Sequence, residues 1–528
     1  MRIRLGCLVA LALLTGIAPA FVQERAQRPE RSDRTERLDR QVRPPASEAT
    51  DPQGVLRLLP ANAVSEKQII IAGKPFPYTA TAGTLTLNDQ NGDRLAAVFY
   101  TAYVAKGTAA GVFGGVNAGA NPARRPITFV FNGGPGAASA FLHLGLAGPR
   151  IIDFGPGGRD GAAAKLRDNP ETWLAFTDLV MIDPIGTGWS RTAKPDAASA
   201  FRNVSGDADS IAKVIALYVA HNSRSASPKY LLGESYGGFR AAKVARALQN
   251  DQGIVVSGIV MVSPMLETSY QWGNDRDPFK AALQFSSLVA TELERTKQFT
   301  PDAMAAAERF ALTEYLSTLA GPKPTGEKAR EFFEKIAKMT GLPIDDVAKA
   351  NGYVRETYLE QLRKQGVQVS NYDATFTITD PVPGTGLSRG GDPMLNGFVR
   401  ALSGVFVGYA RDELGFKTDI TYTLLSRDGW DWSSGRSGRG PQSGQGVTDD
   451  LSALLTLDPS FRLLVVHGRS DLVTPYGVSR YLLDQIRPVG APERVQLTAY
   501  RGGHMFYFGD EQRRAFTADA KSFYQGAR

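Results

Sequence analysis

Tyr230-Leu231-Leu232-Gly233-Glu234-Ser235-Tyr236-Gly237-Gly238 joins a short apolar run to a glycine-flanked serine and then to a helix-compatible segment. A serine in that context sits on a sharp strand-to-helix turn that pushes its hydroxyl into a cleft. Glycines two residues to either side are required because side chains there would strike neighbouring backbone. The pattern is weak in a chain with 55 glycines, but it occurs once and in the right setting. Further continuous apolar runs lie at Ile127–Phe131, Leu179–Ile182 and Gly258–Val262, each ending in Gly, Asp, Ser or Pro. Such runs suit parallel strands buried on both faces, with chemistry on the loops that follow. Helical patterns at Asp207–His221 and Gly238–Gln249 alternate with them, so the chain reads as α/β, with a mostly parallel sheet and helices on both faces. Earlier runs at Gln68–Ala72, Gly83–Leu87 and Ala96–Val104 alternate and suggest an antiparallel edge.

The pattern changes after Ser263. Helix-like stretches at Asp302–Leu319, Glu327–Met339 and Ile344–Lys364 precede the next buried runs, Arg462–Val466 and Val495–Tyr500. One sheet interrupted by a largely helical cap explains this: a core over 61–264 and 456–528 with an insertion over 265–455. Within the insertion, Ser433–Gly446 is rich in Gly, Ser and Arg and reads as a mobile loop.

Residues 1–20 read as a signal peptide, with Arg2 and Arg4 before the apolar Leu5–Ile17 and then Ala18-Pro19-Ala20. The apolar run is too short for an anchor, which needs about 20 residues. Export to a secreted or periplasmic location is therefore expected, with no stable membrane insertion after cleavage. Residues 21–60 are rich in Arg, Glu, Gln and Pro and are expected to be a disordered tail. The single cysteine, Cys7, lies in the leader, so the exported protein is expected to lack disulfides and thiolate chemistry. The formal charge of +7 is spread rather than gathered into a stripe, so nucleic acid is not an expected partner.

A serine nucleophile needs a base, and the chain has four histidines. His221 ends a predicted helix and suits its dipole. His143 follows a glycine-rich loop and is placed to line the cleft without reacting. His467 precedes the candidate acid. His504, in Gly502-Gly503-His504 after the last apolar run, fits the order serine, acid, histidine of the α/β-hydrolase fold. Asp471, five residues beyond Val466, is the candidate acid that orients the imidazole. The Tyr236 amide follows the nucleophile, and Gly134 lies in Asn132-Gly133-Gly134-Pro135-Gly136 after an earlier strand. These two are the candidate oxyanion donors. The histidines are isolated, and no metal or other cofactor is expected.

Together these motifs, with Gly186-Thr187-Gly188-Trp189-Ser190 and Gly503-His504-Met505, resemble the serine carboxypeptidase family. The resemblance implies peptide substrates cleaved at their C-terminal end, with Asn132 and Glu234 binding the terminal carboxylate. Glu234 would have to be protonated to do so. The chain has Ala137-Ala138-Ser139 where the family continues Cys-Ser-Ser. A glutamate that precedes the Gly-Pro after this loop in the family falls near Leu146. Asp183-Pro184-Ile185 is one residue short of the usual Asp-Gln-Pro. The same triad would serve an esterase or acyltransferase, and a binding protein could keep the fold without catalysis.

Overall fold

Adjacent residues along the inner strands face opposite ways into two apolar cores, which fixes a sheet covered on both sides. The computed structural model describes residues 54–106, 124–155, 158–270, 274, 276–383, 391–432, 445–487 and 490–526. The chain divides into Met1–Thr50 and Asp51–Arg528, and every described residue belongs to the second unit. The expected signal peptide with Cys7, most of the expected tail and residues 433–444 of the expected mobile loop lie outside the described residues. Within the span expected as tail, Gly54–Leu58 forms a 3₁₀ turn whose Leu56 is buried with Ala97 and Ala193.

The strands are β1 Ala63–Ile71, β2 Lys74–Asn88, β3 Arg94–Ala105, β4 Ile127–Phe131, β5 Arg150–Asp153, β6 Lys165–Asp168 and β7 Asp178–Ile182. They continue with β8 Arg191–Thr192, β9 Lys229–Glu234, β10 Gly258–Val262, β11 Val367–Val369, β12 Thr377–Thr379, β13 Arg462–Gly468 and β14 Val495–Tyr500. The main sheet runs β1-β2-β3-β7-β4-β9-β10-β13-β14, with β8 paired to β3. β1 to β3 are antiparallel to their neighbours, and β4, β7, β9, β10, β13 and β14 are mutually parallel. Val130, Leu232, Val260, Val262, Leu464 and Val466 enter one core, while Phe129, Leu231, Ile259, Met261, Leu463 and Val465 enter the other. That alternation explains why these strands read as unbroken apolar runs rather than alternating ones.

One face carries α1 Val204–His221, α2 Tyr236–Asp251, α3 Thr448–Leu457 and α4 Tyr476–Gln485. The other face holds α5 Asp510–Gln525 through Phe516, Ala520, Phe523 and Tyr524. α3 begins inside the span expected as cap but packs on α2 in the core, with Lys243 and Asp450 paired at 2.7 Å.

The rest of that span has two different halves. Helices Pro278–Arg295, Pro301–Phe310, Gly326–Thr340, Ile344–Lys349 and Val354–Lys364 bury an apolar cluster of their own. Residues around Val399–Tyr422 instead pack onto the main core, where Trp189 stacks edge-on to Phe99 and Tyr422 and donates to Ile420 O at 2.8 Å. From β4 the chain passes to β7 on one side, then returns to β9 on the other. Loops leaving the carboxyl ends of β4 and β9 therefore flank a topological switch point, where such sheets open a crevice.

Candidate active site

Ser235 lies between β9 and α2 with φ 59° and ψ −125°, a left-handed backbone that a serine adopts only when its surroundings enforce it. Those surroundings are backbone. Ser235 N donates to Val262 O at 2.9 Å, and Ser235 O accepts from Gly238 N at 3.0 Å and Met265 N at 3.2 Å. A Cβ on Gly233 would stand 2.0 Å from Gly237 O, and one on Gly237 would stand 2.7 Å from Phe131 O. The two flanking glycines are thus required by close approach. Ser235 is half-buried, while residues 233, 234, 236 and 237 around it are buried.

Parallel pairing brings the remaining residues alongside. Phe131 pairs with Gly233, which places Asn132 beside Glu234. Val262 pairs with both Glu234 and Val466, so Ser263 lies between the loops that carry Ser235 and Asp471. Ser263 Oγ donates to His504 O at 2.9 Å, and Ser263 O accepts from Thr474 Oγ1 at 2.9 Å.

His504 Nδ1 and Asp471 Oδ2 are 2.7 Å apart, both buried. Asp471 Oδ1 accepts from Val473 N at 2.8 Å and Thr474 N at 3.0 Å, and Thr474 Oγ1 lies 2.7 Å from Asp471 Oδ2. Burial opposes the charge on Asp471, but His504 and the Thr474 donors outweigh it and hold the carboxyl below its ordinary value. Burial likewise opposes a charged His504, and the neighbouring Asp471 overrides it, raising the imidazole pKa.

Glu234 is buried and accepts from Asn132 Nδ2 and from Tyr507 OH, the latter at 2.9 and 2.8 Å to its two oxygens. Burial pushes its carboxyl up to about 7, against the lowering pull of His504, Tyr507 and Asn132. Asn132 is itself fixed, since its Oδ1 accepts from Leu142 N and its carbonyl accepts from Arg240. Gly134 adopts φ 98° beside the elbow. Its neighbour Gly133 approaches so closely that a Cβ would stand 2.6 Å from Tyr236 N. Among the described residues, neither Gly134 N–H nor Tyr236 N–H donates to a group outside its own element.

The other histidines are placed elsewhere. His143, expected to line the cleft, is enclosed among Tyr103, Phe406 and Tyr409 and bonds Tyr103 OH at 2.7 Å; burial lowers its pKa to about 3. Aromatic packing, not the cleft, claims it. His467 bonds Ser479 Oγ at 2.8 Å and is lowered by burial to about 4. His221 ends α1. Among the described residues no group of three His, Cys, Asp or Glu side chains could hold a metal ion, and no helix is long and apolar enough to cross a membrane.

Three features escaped the sequence. Thr474 joins Asp471 and His504 through one hydroxyl, lying 3.0 Å from His504 Nδ1. Tyr507 holds Glu234. The loop between β11 and β12 straps the Asp471 and His504 loops together. Tyr372 O accepts from His504 N at 2.5 Å, Asn371 O accepts from Leu472 N at 3.0 Å, and Asp373 Oδ1 accepts from Ser470 Oγ at 2.7 Å. The one signal for the strap was Gly503, where a Cβ would stand 2.1 Å from Tyr372 O.

A mostly parallel sheet with helices on both faces and a serine elbow after β9 defines an α/β-hydrolase fold. The profile of the serine carboxypeptidase family matches residues 81–353, more than half of the chain, and the chain belongs to that family. Serine carboxypeptidase-like 44 of Arabidopsis thaliana is 37% identical over 76 residues, 14% of this chain and 15% of that protein. The retinoid-inducible serine carboxypeptidase of Rattus norvegicus is 29% identical over 160 residues, 28% of this chain and 32% of that protein. The chain thus spans about a third or less of these relatives' length. A prohormone-processing carboxypeptidase of Saccharomyces cerevisiae superposes with a TM-score of 0.51 at 15% identity, over 84% of this chain and 91% of that one, a likeness of fold.

Proposed function

We propose that the protein is a serine-type carboxypeptidase that releases C-terminal residues from peptides. The observation that carries this reading is that adjacent parallel strands bring the strained Ser235, the His504–Asp471 pair and the buried Glu234–Asn132 pair to the same end of the sheet.

In this mechanism Ser235 Oγ attacks the last peptide carbonyl while His504 Nε2 takes its proton. Asp471 keeps the other ring nitrogen protonated and stabilises the imidazolium. The oxyanion takes hydrogen bonds from Gly134 N–H and Tyr236 N–H, donors of a kind that contribute about 3 kcal/mol each to the transition state. The leaving amine receives the proton from His504, which leaves an ester on Ser235. Water then attacks that ester with His504 as base again, and Ser235 is restored. Asn132 and Glu234 would hold the terminal carboxylate, Glu234 in its protonated form.

The pH dependence follows from the two shifted groups. His504 accepts a proton only above its raised pKa, so activity falls on the acid side. Glu234 is neutral only below about 7, so binding of a free carboxylate weakens above that pH. A free-acid substrate should give a bell-shaped kcat/KM, and an ester of the same peptide should keep the acid limb alone. The test compares an N-blocked dipeptide with its C-terminal amide at pH 6, using wild type and Ser235→Ala. Preference for the free acid, abolished by Ser235→Ala, supports the reading. Equal serine-dependent rates on acid and amide would discard the carboxylate site and turn the search to ester hydrolysis or acyl transfer. Absence of any serine-dependent turnover would favour a binding protein.

A further inference from the structure

Glu234 occupies an unusual position for an acid that must lose and regain a proton. It is buried at the end of β9, next to the Ser235 turn, and its described hydrogen-bond partners are donors: the Asn132 amide from the loop after β4 and the Tyr507 hydroxyl. Tyr507 is itself buried, in the 3₁₀ turn Phe506–Phe508 that begins two residues after His504. The loop that carries the candidate base therefore also grips the candidate carboxylate-binding acid. Room for the Tyr507 ring comes from Gly145, where a Cβ would stand 2.6 Å from Tyr507 Cε2. The adjacent Leu146 is buried and supplies no second acid.

We infer that Tyr507 is a positioning residue for substrate recognition: its hydroxyl, within hydrogen-bond distance of both oxygens of Glu234, fixes that carboxyl beside the Ser235 turn, where Leu146 supplies no acid. This rests on the reading of Glu234 and Asn132 as the site for a terminal carboxylate.

A phenol as the partner of Glu234 differs in chemistry from a second acid. Two acids in contact share protons and titrate in two coupled steps. A tyrosine shares none in the working range, since burial and the nearby Glu234 raise its own ionisation well above 10. Recognition then follows one proton, the one on Glu234. The charged and titratable groups that act on that proton are His504, whose charge favours the ionised form, and Asp471, whose charge opposes it. Asn132 and Tyr507 donate to it, and Tyr372 on the strap is close enough to feel its charge. The Tyr507 hydrogen bond favours the ionised carboxylate. Its removal should therefore keep Glu234 protonated to higher pH.

The experiment records kcat/KM for an N-blocked dipeptide with a free terminus from pH 5 to 9, with its C-terminal amide as control. The proteins are wild type, Tyr507→Phe, Gly145→Ala and Glu234→Gln. Wild type should lose one proton on an alkaline limb near pH 7. Tyr507→Phe, which keeps the ring, should move that limb up by about one pH unit, the size expected for one hydrogen bond to a charged group. Gly145→Ala, which keeps the hydroxyl but crowds the ring and so shifts it away from Glu234, should move it in the same direction. Glu234→Gln should abolish it, and the amide should never show it. A limb removed by Glu234→Gln but unmoved by Tyr507→Phe overturns the role of Tyr507 and leaves the carboxylate site standing. A limb that survives Glu234→Gln, or is absent from wild type, overturns the carboxylate site and the Tyr507 role with it.

Discussion

Thr474 puts one hydroxyl within hydrogen-bond distance of three groups: Asp471 Oδ2 at 2.7 Å, His504 Nδ1 at 3.0 Å and Ser263 O at 2.9 Å. The hydroxyl has a single proton, so its orientation decides whether the carboxylate or the carbonyl is served. Thr474→Val keeps the shape and removes the hydroxyl. The loss of a hydrogen bond to a charged group, about 1.5–3 kcal/mol, should lower kcat about ten-fold or more with little change in KM. Thr474→Ser should restore most of the rate in steady-state kinetics. Equal losses in both variants would instead assign the effect to the threonine methyl. The contrast with Ser235, Asp471 and His504 is instructive. Those three stood out as candidates because acyl-transfer chemistry demands particular residue types in a particular order after particular strands. A threonine three residues past an aspartate, or a tyrosine three past a histidine, is ordinary sequence. Only the tertiary approach of separate loops gives Thr474 and Tyr507 their partners.

Elements meet beneath the Ser235 turn through Asp207 on α1 and Arg240 on α2, paired at 2.7 Å with 4% and 0% side-chain exposure. Arg240 also donates to Asn132 O and lies 4.9 Å from the Tyr236 ring centroid. One guanidinium thus joins two helices to the loop that carries Gly134. Asp207→Leu or Arg240→Leu alone leaves a buried charge without its partner, which costs about 3–5 kcal/mol. The double replacement should cost clearly less than the sum, a coupling that urea denaturation of the four proteins would measure. Additive losses would mean that the pair acts through packing alone. Elements themselves were well marked in the sequence where burial is two-sided, as in β4, β9, β10 and β13. The stretch Ile344–Lys364 was read as one helix but breaks into Ile344–Lys349 and Val354–Lys364. Asn351 and Gly352 take φ of 51° and 83° there, a left-handed turn that the Asn-Gly pair announces and helical periodicity on either side conceals.

Across the whole molecule, the segment between the sheet's two parts is built into the site. Leu472 and Tyr476, just beyond Asp471, belong to the apolar cluster of the inserted helices, and Tyr476 OH donates to Glu308 at 2.7 Å. The strap from Ser370 to Ala374 reaches both the Asp471 and His504 loops. Sequence periodicity could separate helix-rich from strand-rich spans, but it could not show this, because the contacts connect residues about 100 or more positions apart. The described residues include no cysteine, and apolar packing, hydrogen bonds and the ion pairs Arg480–Glu308 and Arg501–Glu294 join these parts. If the insertion and the loops of the candidate site form one cooperative structure, loosening the strap should weaken both. Asp373 is the place to test it, since its Oδ1 accepts from Ser470 Oγ, Thr375 Oγ1 and Thr375 N. Asp373→Ala should cost about 1–3 kcal/mol in global stability and lower kcat/KM about ten-fold, although Asp373 takes no part in the proposed chemistry. Labelling of Ser235 by a fluorophosphonate and the far-UV circular dichroism signal, followed together through a urea titration, should then be lost in one shared transition shifted to lower urea. Two separated transitions, with labelling intact after the first, would show that the inserted helices unfold by themselves and that the strap is dispensable to the site.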